Sequence, residues 1–443
     1  MPAERAASLI SDISETVTRA VEETPVTDVH THLYPPGFGS LLLRGVDELL
    51  TYHYLVAEVM RVVDLSYDRF WALSKREQAN LIWQALFLER SPVSEACRGV
   101  VTTLARLVRS DHRQAAGDPV RTGPVSRDLD YYRAALAGLS AQEHVDRVFA
   151  LANVRRVVMT NDPFDPVERE FWLAGTDRDP RFLAALRLDP LLVAWPAAAS
   201  QLLAWGYKVE TSLGGRTVSE VRRFLEEWIA RLDPVYLAVS LGPDFVYPGA
   251  STAEPAEEAV IRARLIDEVV LPVAREHGLP FALMIGVKRQ VNPALRLAGD
   301  GVGRACVEAV EHLCKAHPEN KFMVTMLSRE NQHELTVAAR KFRNLMPFGC
   351  WWFLNNPSLI TEITRFRLEL LGTSFIPQHS DARVLDQLIY KWAHSRSLIA
   401  QALTRQYELL VESGWVPTRE EIERDVKALM GGNFWTFLGR GEP

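Results

Sequence analysis

The chain has 443 residues, of which 47% are apolar and 24% charged, and its formal net charge is −6. That balance offers no broad cationic field for nucleic acid, and no run approaches the roughly 18 uninterrupted apolar residues of a membrane span. Met1 to Glu23 lacks the apolar core of a secretory signal, and Cys97, Cys306, Cys314 and Cys350 form no C-x-x-C pair, so the expectation is a cytoplasmic protein with reduced thiols.

The first short apolar run, Val26-Leu33, contains the segment Asp28-Val-His-Thr-His32. If it is a strand, side chains two apart share a face, so Val29 and Thr31 point one way and His30 and His32 the other. Two imidazoles aimed at one point suit a divalent metal. A chance pair on a polar edge strand is the alternative that the bare motif leaves open.

About 120 residues, 34–153, then separate the first run from the second. Within them Leu41-Arg61, Arg69-Leu88 and Pro92-Arg109 carry apolar residues spaced by three and four, the helical signature. They read as a helical insertion in the first loop after a strand, with two compatible roles: a cap over the site, and an interface in a homo-oligomer.

Further apolar runs follow at Val154-Thr160, Leu183-Leu188, Val235-Leu241, Pro280-Gly286, Lys321-Leu327, Met346-Phe353 and Ser374-Gln378. Strands alternating with helices imply a parallel sheet, and eight such units favour a closed (β/α)8 barrel of the TIM type over an open sheet. All 443 residues are expected to form one such domain, with 34–153 inserted in it. Thr418-Arg-Glu-Glu421 is a capping box opening a last helix, and Asn433-Leu438 reads as an apolar tail docked on the body.

In such barrels the site sits at the carboxyl ends of the strands. The strand ends here carry His30 and His32; Thr160, Asn161 and Asp162; Arg187 and Asp189; Ser328, Arg329 and Glu330; and the segment Gln378-His-Ser-Asp-Ala-Arg383. Because strand eight of a closed barrel neighbours strand one, Asp381 can approach the two histidines as a third ligand. Two histidines and a carboxylate with open positions suit Zn²⁺ first, and also Mn²⁺ or Fe²⁺. His379 is a weaker candidate for a fourth ligand.

The strings Thr27-Asp-Val-His-Thr-His-Leu33, Thr51-Tyr-His-Tyr54, Met159-Thr-Asn-Asp-Pro163, Trp351-Trp-Phe353 and His379-Ser-Asp-Ala-Arg383 together resemble the uronate (glucuronate) isomerases of the amidohydrolase superfamily. The resemblance covers nearly the whole chain. It implies a barrel interconverting aldehyde hexuronates such as D-glucuronate or D-galacturonate with their keto forms, D-fructuronate or D-tagaturonate. It further implies a metal site of His30, His32 and Asp381, with Tyr54, Arg187, Arg329 and Arg383 binding the sugar acid or moving its proton. One departure is Met284, where some members of the family carry a histidine.

Moving a proton from C2 to C1 of a sugar acid needs a base, stabilisation of an enediolate and a grip on the carboxylate. Guanidinium groups at three strand ends suit the anionic oxygens, and Asp381, Tyr54 and Arg383 are the candidate catalytic groups. The rival readings are a metal-dependent hydrolase on the same barrel and a catalytically silent sugar-acid binder. A conventional two-metal hydrolase centre is short of ligands, although Glu210 or His379 could add to the number. Lys208 reads as a solvated charge, so one metal is expected rather than two.

Overall fold

The computed structural model describes residues 3–116, 126–248 and 257–442. Seven parallel strands form one curled sheet in chain order. They are β1 (Val26–Thr31), β2 (Val154–Asn161), β3 (Phe182–Arg187), β4 (Leu237–Leu241), β5 (Phe281–Ile285), then β8 (Phe322–Met326) and β9 (Leu345–Pro347). Between β5 and β8 a two-residue antiparallel pair, β6 (Val287–Lys288) and β7 (Gly301–Val302), makes a small hairpin.

The expected eighth strand is reduced to a single bridge, Phe348 to Ile376, because Pro377 has no N–H to extend the ladder. The chain then crosses to β1 and closes the barrel: Asp381 N donates to His30 O at 3.2 Å, and His32 N donates to Ala382 O at 2.8 Å. The strand expected over Met346-Phe353 is also short, ending at Pro347, with Gly349 at a φ of +66°. This is a (β/α)8 barrel whose last two units are irregular. Their irregularity frees residues 348–355 and 378–383 to form site loops.

The two faces of the strands feed different apolar layers. The larger layer, including Leu186, Leu237, Val239, Leu283 and Val324, packs against the surrounding helices. A smaller one inside the barrel contains Val158, Ala185, Ala238, Ala282, Met284 and Met323. The tail helix Asn433–Leu438 buries Phe434, Trp435 and Leu438 in that interior layer. Asn433 Nδ2 fixes the tail by donating to Thr373 O at 2.6 Å and Phe375 O at 2.8 Å.

Residues 34–116 and 126–153 contain helices, as the periodicity predicts, with two corrections. The helix expected over Arg69-Leu88 breaks at Leu73 and Ser74, where Ser74 opens a new helix with a capping box, giving Tyr67–Ala72 and Lys75–Trp83, the latter continued by a wider turn to Leu88. The helix expected over Leu41-Arg61 is two, Val46–Leu50 and His53–Val59, preceded by Gly45 at a φ of +92° and broken at Thr51 and Tyr52. No helix among the described residues is long and apolar enough to cross a membrane. Cys97, Cys306, Cys314 and Cys350 are unpaired, and all but Cys306 are buried.

Asp386 fastens these helices to the barrel. Its fully buried carboxylate lies 2.7 Å from His144 Nε2 and accepts from Gly45 N at 2.7 Å. Burial pushes the Asp386 carboxyl up, but the His144 imidazole overrides burial and holds it below its ordinary value. The stabilisation is therefore present above an unfolded value of about 3.9 and is lost as pH falls through the depressed folded value. Asp386→Ala strands the buried His144 and the half-buried Gly45 N–H and should cost about 3 to 5 kcal/mol. Denaturant unfolding at pH 7 checks this, and a cost under about 1 kcal/mol would remove Asp386 as the fastening point.

Candidate metal centre and sugar-acid site

The pairing of residues 381–382 with β1 sets Asp381 against the two histidines. His30 Nε2 lies 3.4 Å and His32 Nε2 3.3 Å from the same oxygen, Asp381 Oδ1. Asp381 holds a φ of +52°, a conformation aspartate tolerates better than most residues. One donor atom from each of the three residues lies within 4.8 Å of the other two. Ligands about 2.1 Å from a tetrahedral ion sit about 3.4 Å apart, so the carboxylate-to-imidazole spacings already match a metal site.

The electrostatics agree. Asp381 Oδ1 is buried and has no well-formed hydrogen bond, its two imidazole neighbours standing off at 3.3 and 3.4 Å, a costly state for a carboxylate oxygen unless a cation neutralises it. Burial raises the Asp381 carboxyl, but His30 and His32 beside it hold it well below the usual carboxylate range. Burial, and next the charge of Arg383, keep His32 well below its ordinary value. An ionised carboxylate and a neutral imidazole are the forms that ligate metals.

The loop that carries Asp381 is anchored from below. Asp28, fully buried on β1, accepts from Ser380 N at 3.0 Å and from Trp392 Nε1 at 2.8 Å. Asn355 Nδ2 donates to the carbonyls of His379 and Ser380. His379 is completely buried, with its ring centroid 5.0 Å from that of His30, and neither ring nitrogen has a partner. Burial, then His30, pull its pKa down to about 3, so the ring is neutral. Beneath it Gly349 leaves no room: an added Cβ would lie 2.0 Å from His379 Cδ2. Gly349 O accepts from the fully buried Arg367 at 2.9 Å.

The start of the helix His53–Val59, with Tyr52 just before it, brings three aromatic rings to one side of the group. Tyr54 lies 4.9 Å from Tyr52 and 6.3 Å from Phe353, centroid to centroid. Lys391, paired with Glu95 at 3.3 Å, sits 5.5 Å from the Tyr54 ring centre. Burial, then Tyr52 and Asp381, push the Tyr54 hydroxyl well above its ordinary pKa, so it stays protonated. His53 packs edge-on against Trp352 at 5.6 Å. His53 Nε2 and Trp352 Nε1 are both buried without a partner.

The three expected arginines have different surroundings. Arg383 is half-buried, its charge acts on His32 and His53, and it has no carboxylate partner among the described residues. Arg187 is forked onto Asp189 at 2.6 and 3.2 Å, close enough to Asp162 and Tyr236 for its charge to act on both. Arg329 is not brought to the group: it is 57% exposed and pairs with Glu362 at 3.0 Å. Lys208 and Glu210 are exposed, which leaves Lys208 a solvated charge, and Met284 is buried in the barrel interior. His30, His32 and Asp381 are the only three-ligand group among the described residues. The sequence reading passed over His53 and Asp28, although both lie inside motifs it quoted.

Gly349→Ala should therefore displace His379 and with it His30. We expect the purified variant to fold with a lower melting temperature and to retain less than a tenth of the wild-type divalent metal. Normal metal content by elemental analysis would show that the Gly349 to His379 contact does not support the centre.

No protein-family model and no curated protein matches the chain. Among solved structures, a uronate isomerase from Bacillus halodurans matches with a TM-score of 0.91 and 55% identity, covering 98% of this chain and 97% of that one. A uronate isomerase from Thermotoga maritima matches at 0.74 with 15% identity, covering 96% and 97%. A glucuronate isomerase from Caulobacter crescentus matches at 0.73 with 16% identity, covering 100% and 96%. The latter two share the fold; the first, at more than half identity over nearly both full lengths, establishes kinship. The chain belongs to the uronate isomerase family.

Proposed function

We propose that this protein is a metal-dependent uronate isomerase interconverting D-glucuronate with D-fructuronate and D-galacturonate with D-tagaturonate. The observation that carries the reading is the convergence of His30 and His32 on the buried, unpartnered Asp381 Oδ1 in a chain 55% identical to a solved uronate isomerase. The three residues would hold one divalent cation, Zn²⁺ before Mn²⁺ or Fe²⁺, by the preference of a two-imidazole, one-carboxylate set. Bound there, the cation would polarise oxygens of the sugar acid.

The reaction takes the proton from C2 and returns one to C1, while the hydroxyl proton passes from O2 to O1. Electrons only shift within the substrate, so no redox partner is required. Asp381, at the centre of the group, is the candidate proton acceptor, and Tyr54, whose hydroxyl keeps its proton, is the candidate donor. Arg383, free of any carboxylate partner among the described residues, supplies positive charge to the carboxylate or the enediolate. Arg187, oriented by Asp189, supplies a second cation. Trp352 and Phe353, stacked at 4.9 Å, make an apolar wall that limits water.

The protein is read as cytoplasmic because its four cysteines are unpaired. It is read as a homo-oligomer because Leu410, Trp415 and Val416 expose apolar surface near one another in the chain. Light scattering in solution tests the second point, and a monomer at micromolar concentration would refute it.

Purified enzyme supplied with Zn²⁺ should convert D-glucuronate or D-galacturonate to the keto acid, and Asp381→Asn should abolish turnover. Ester or amide hydrolysis without hexuronate isomerisation would overturn the proposal in favour of a hydrolase. Arg383→Lys keeps the charge and loses the planar two-point contact, so kcat/KM should fall by about 2 to 4 kcal/mol with metal content intact. Wild-type kcat/KM in that variant would make Arg383 a structural residue.

A further inference from the structure

Two hydroxyl groups behind the histidines repeat one arrangement. Tyr236, fully buried just before β4, donates its hydroxyl to Val29 O at 2.8 Å, and the same oxygen lies 3.4 Å from His30 Nδ1. Thr160, buried on β2, donates to Thr31 O at 3.1 Å, and its oxygen lies 2.8 Å from His32 Nδ1. In each case the carbonyl belongs to the residue immediately before the histidine. A register irregularity between Asp28 and Thr31 accompanies the arrangement: Val29 packs in the interior apolar layer, and its carbonyl is open to Tyr236. The strict alternation expected for this strand is interrupted there.

A hydroxyl has one proton. A carbonyl oxygen has only lone pairs, so the two contacts of each hydroxyl are both hydrogen bonds only when that proton points at the carbonyl. The hydroxyl oxygen can then only accept from the imidazole, which requires the hydrogen to be on Nδ1. A neutral imidazole carrying Nδ1–H has a bare lone pair on Nε2, and the two Nε2 atoms are the ones 3.4 and 3.3 Å from Asp381 Oδ1. The opposite tautomer would draw each hydroxyl proton away from its carbonyl to Nδ1 and would place an N–H, rather than a lone pair, on the Nε2 atoms that face the cation site.

We propose that Tyr236 and Thr160 are a matched pair of positioning residues that hold His30 and His32 as Nδ1–H tautomers and so aim both Nε2 atoms at the cation site. The assignment rests on the reading that His30, His32 and Asp381 hold one divalent cation. Neither hydroxyl need touch the cation or the sugar acid. The arrangement replaces the carboxylate or carbonyl that commonly orients a ligating histidine with a group whose single proton is already committed.

The test begins with the metal-stripped, full-length wild-type chain labelled with ¹⁵N-histidine. Nitrogen shifts distinguish the two tautomers, and the expected result is Nδ1–H for both His30 and His32. Zn²⁺ affinity, measured by competition with a chromophoric chelator, should fall about 10- to 100-fold in Tyr236→Phe and in Thr160→Val. Thr160→Ser, which restores the hydroxyl, should recover it. An Nε2–H signal for either histidine in the wild-type chain overturns the proposal without any variant having to fold. Tyr236→Phe and Thr160→Val chains that bind Zn²⁺ within twofold of wild type also overturn it. A wild-type chain that takes up no Zn²⁺ refutes the cation reading instead, and the wild-type tautomer measurement still decides the role of the hydroxyls.

Discussion

Everything at the site depends on how the barrel closes. The eighth strand is almost absent as regular structure, yet two backbone hydrogen bonds, Asp381 N to His30 O and His32 N to Ala382 O, join its continuation to β1. They hold a carboxylate from one end of the chain against two imidazoles from the other, some 350 residues apart. Such a contact has a large loop-closure cost, and the anchors around it show how that cost is offset. Asp28 grips the loop through Ser380 N and the following helix through Trp392, and Asp386 ties in the start of the helix Val46–Leu50 through Gly45 N and the helix Ala141–Ala152 through His144.

The same closure explains the unsatisfied polar atoms at this end of the barrel. Asp381 Oδ1, His53 Nε2, Trp352 Nε1 and both nitrogens of His379 are buried without partners. Trp352 and Asp381 also hold positive φ angles, of +47° and +52°. Strain and missing hydrogen bonds cost stability, and a fold tolerates them where a ligand or cation will complete the set. Glu168, just outside, is by contrast fully engaged: it accepts from Tyr34, Asn161, Trp172 and Asp162 N. Such an engaged neighbour helps hold the site in shape before its ligand arrives.

The three arginines show why residue type at a strand end is not enough. Arg187, Arg329 and Arg383 follow similar apolar runs, and each could have gripped an anion. What separates them is the nearest carboxylate. Glu362, on the helix Pro357–Leu371, takes Arg329 to the surface; Asp189, two residues on, locks Arg187 in place; Arg383 has none among the described residues and remains available. The partner of Arg187 is local in the sequence, whereas that of Arg329 comes from a separate helix and is set by packing.

The sequence by itself determined the class of fold and the three residues that converge at the candidate site. The eight apolar runs, the same-face histidines and the adjacency of strands eight and one in a closed barrel led to His30, His32 and Asp381, because strand period and barrel closure are local or topological rules that need no coordinates. Only the tertiary structure decided the rest. The shortening of the last two strands follows from Pro347, Gly349 and Pro377 acting together with the closure. The break at Thr51 and Tyr52 delivers His53 and Tyr54 to the wall, and the irregularity in β1 turns Val29 O toward Tyr236, more than 200 residues away. These depend on which groups meet across long sequence separations, and hydrogen bonds of that range leave no periodic trace along the chain.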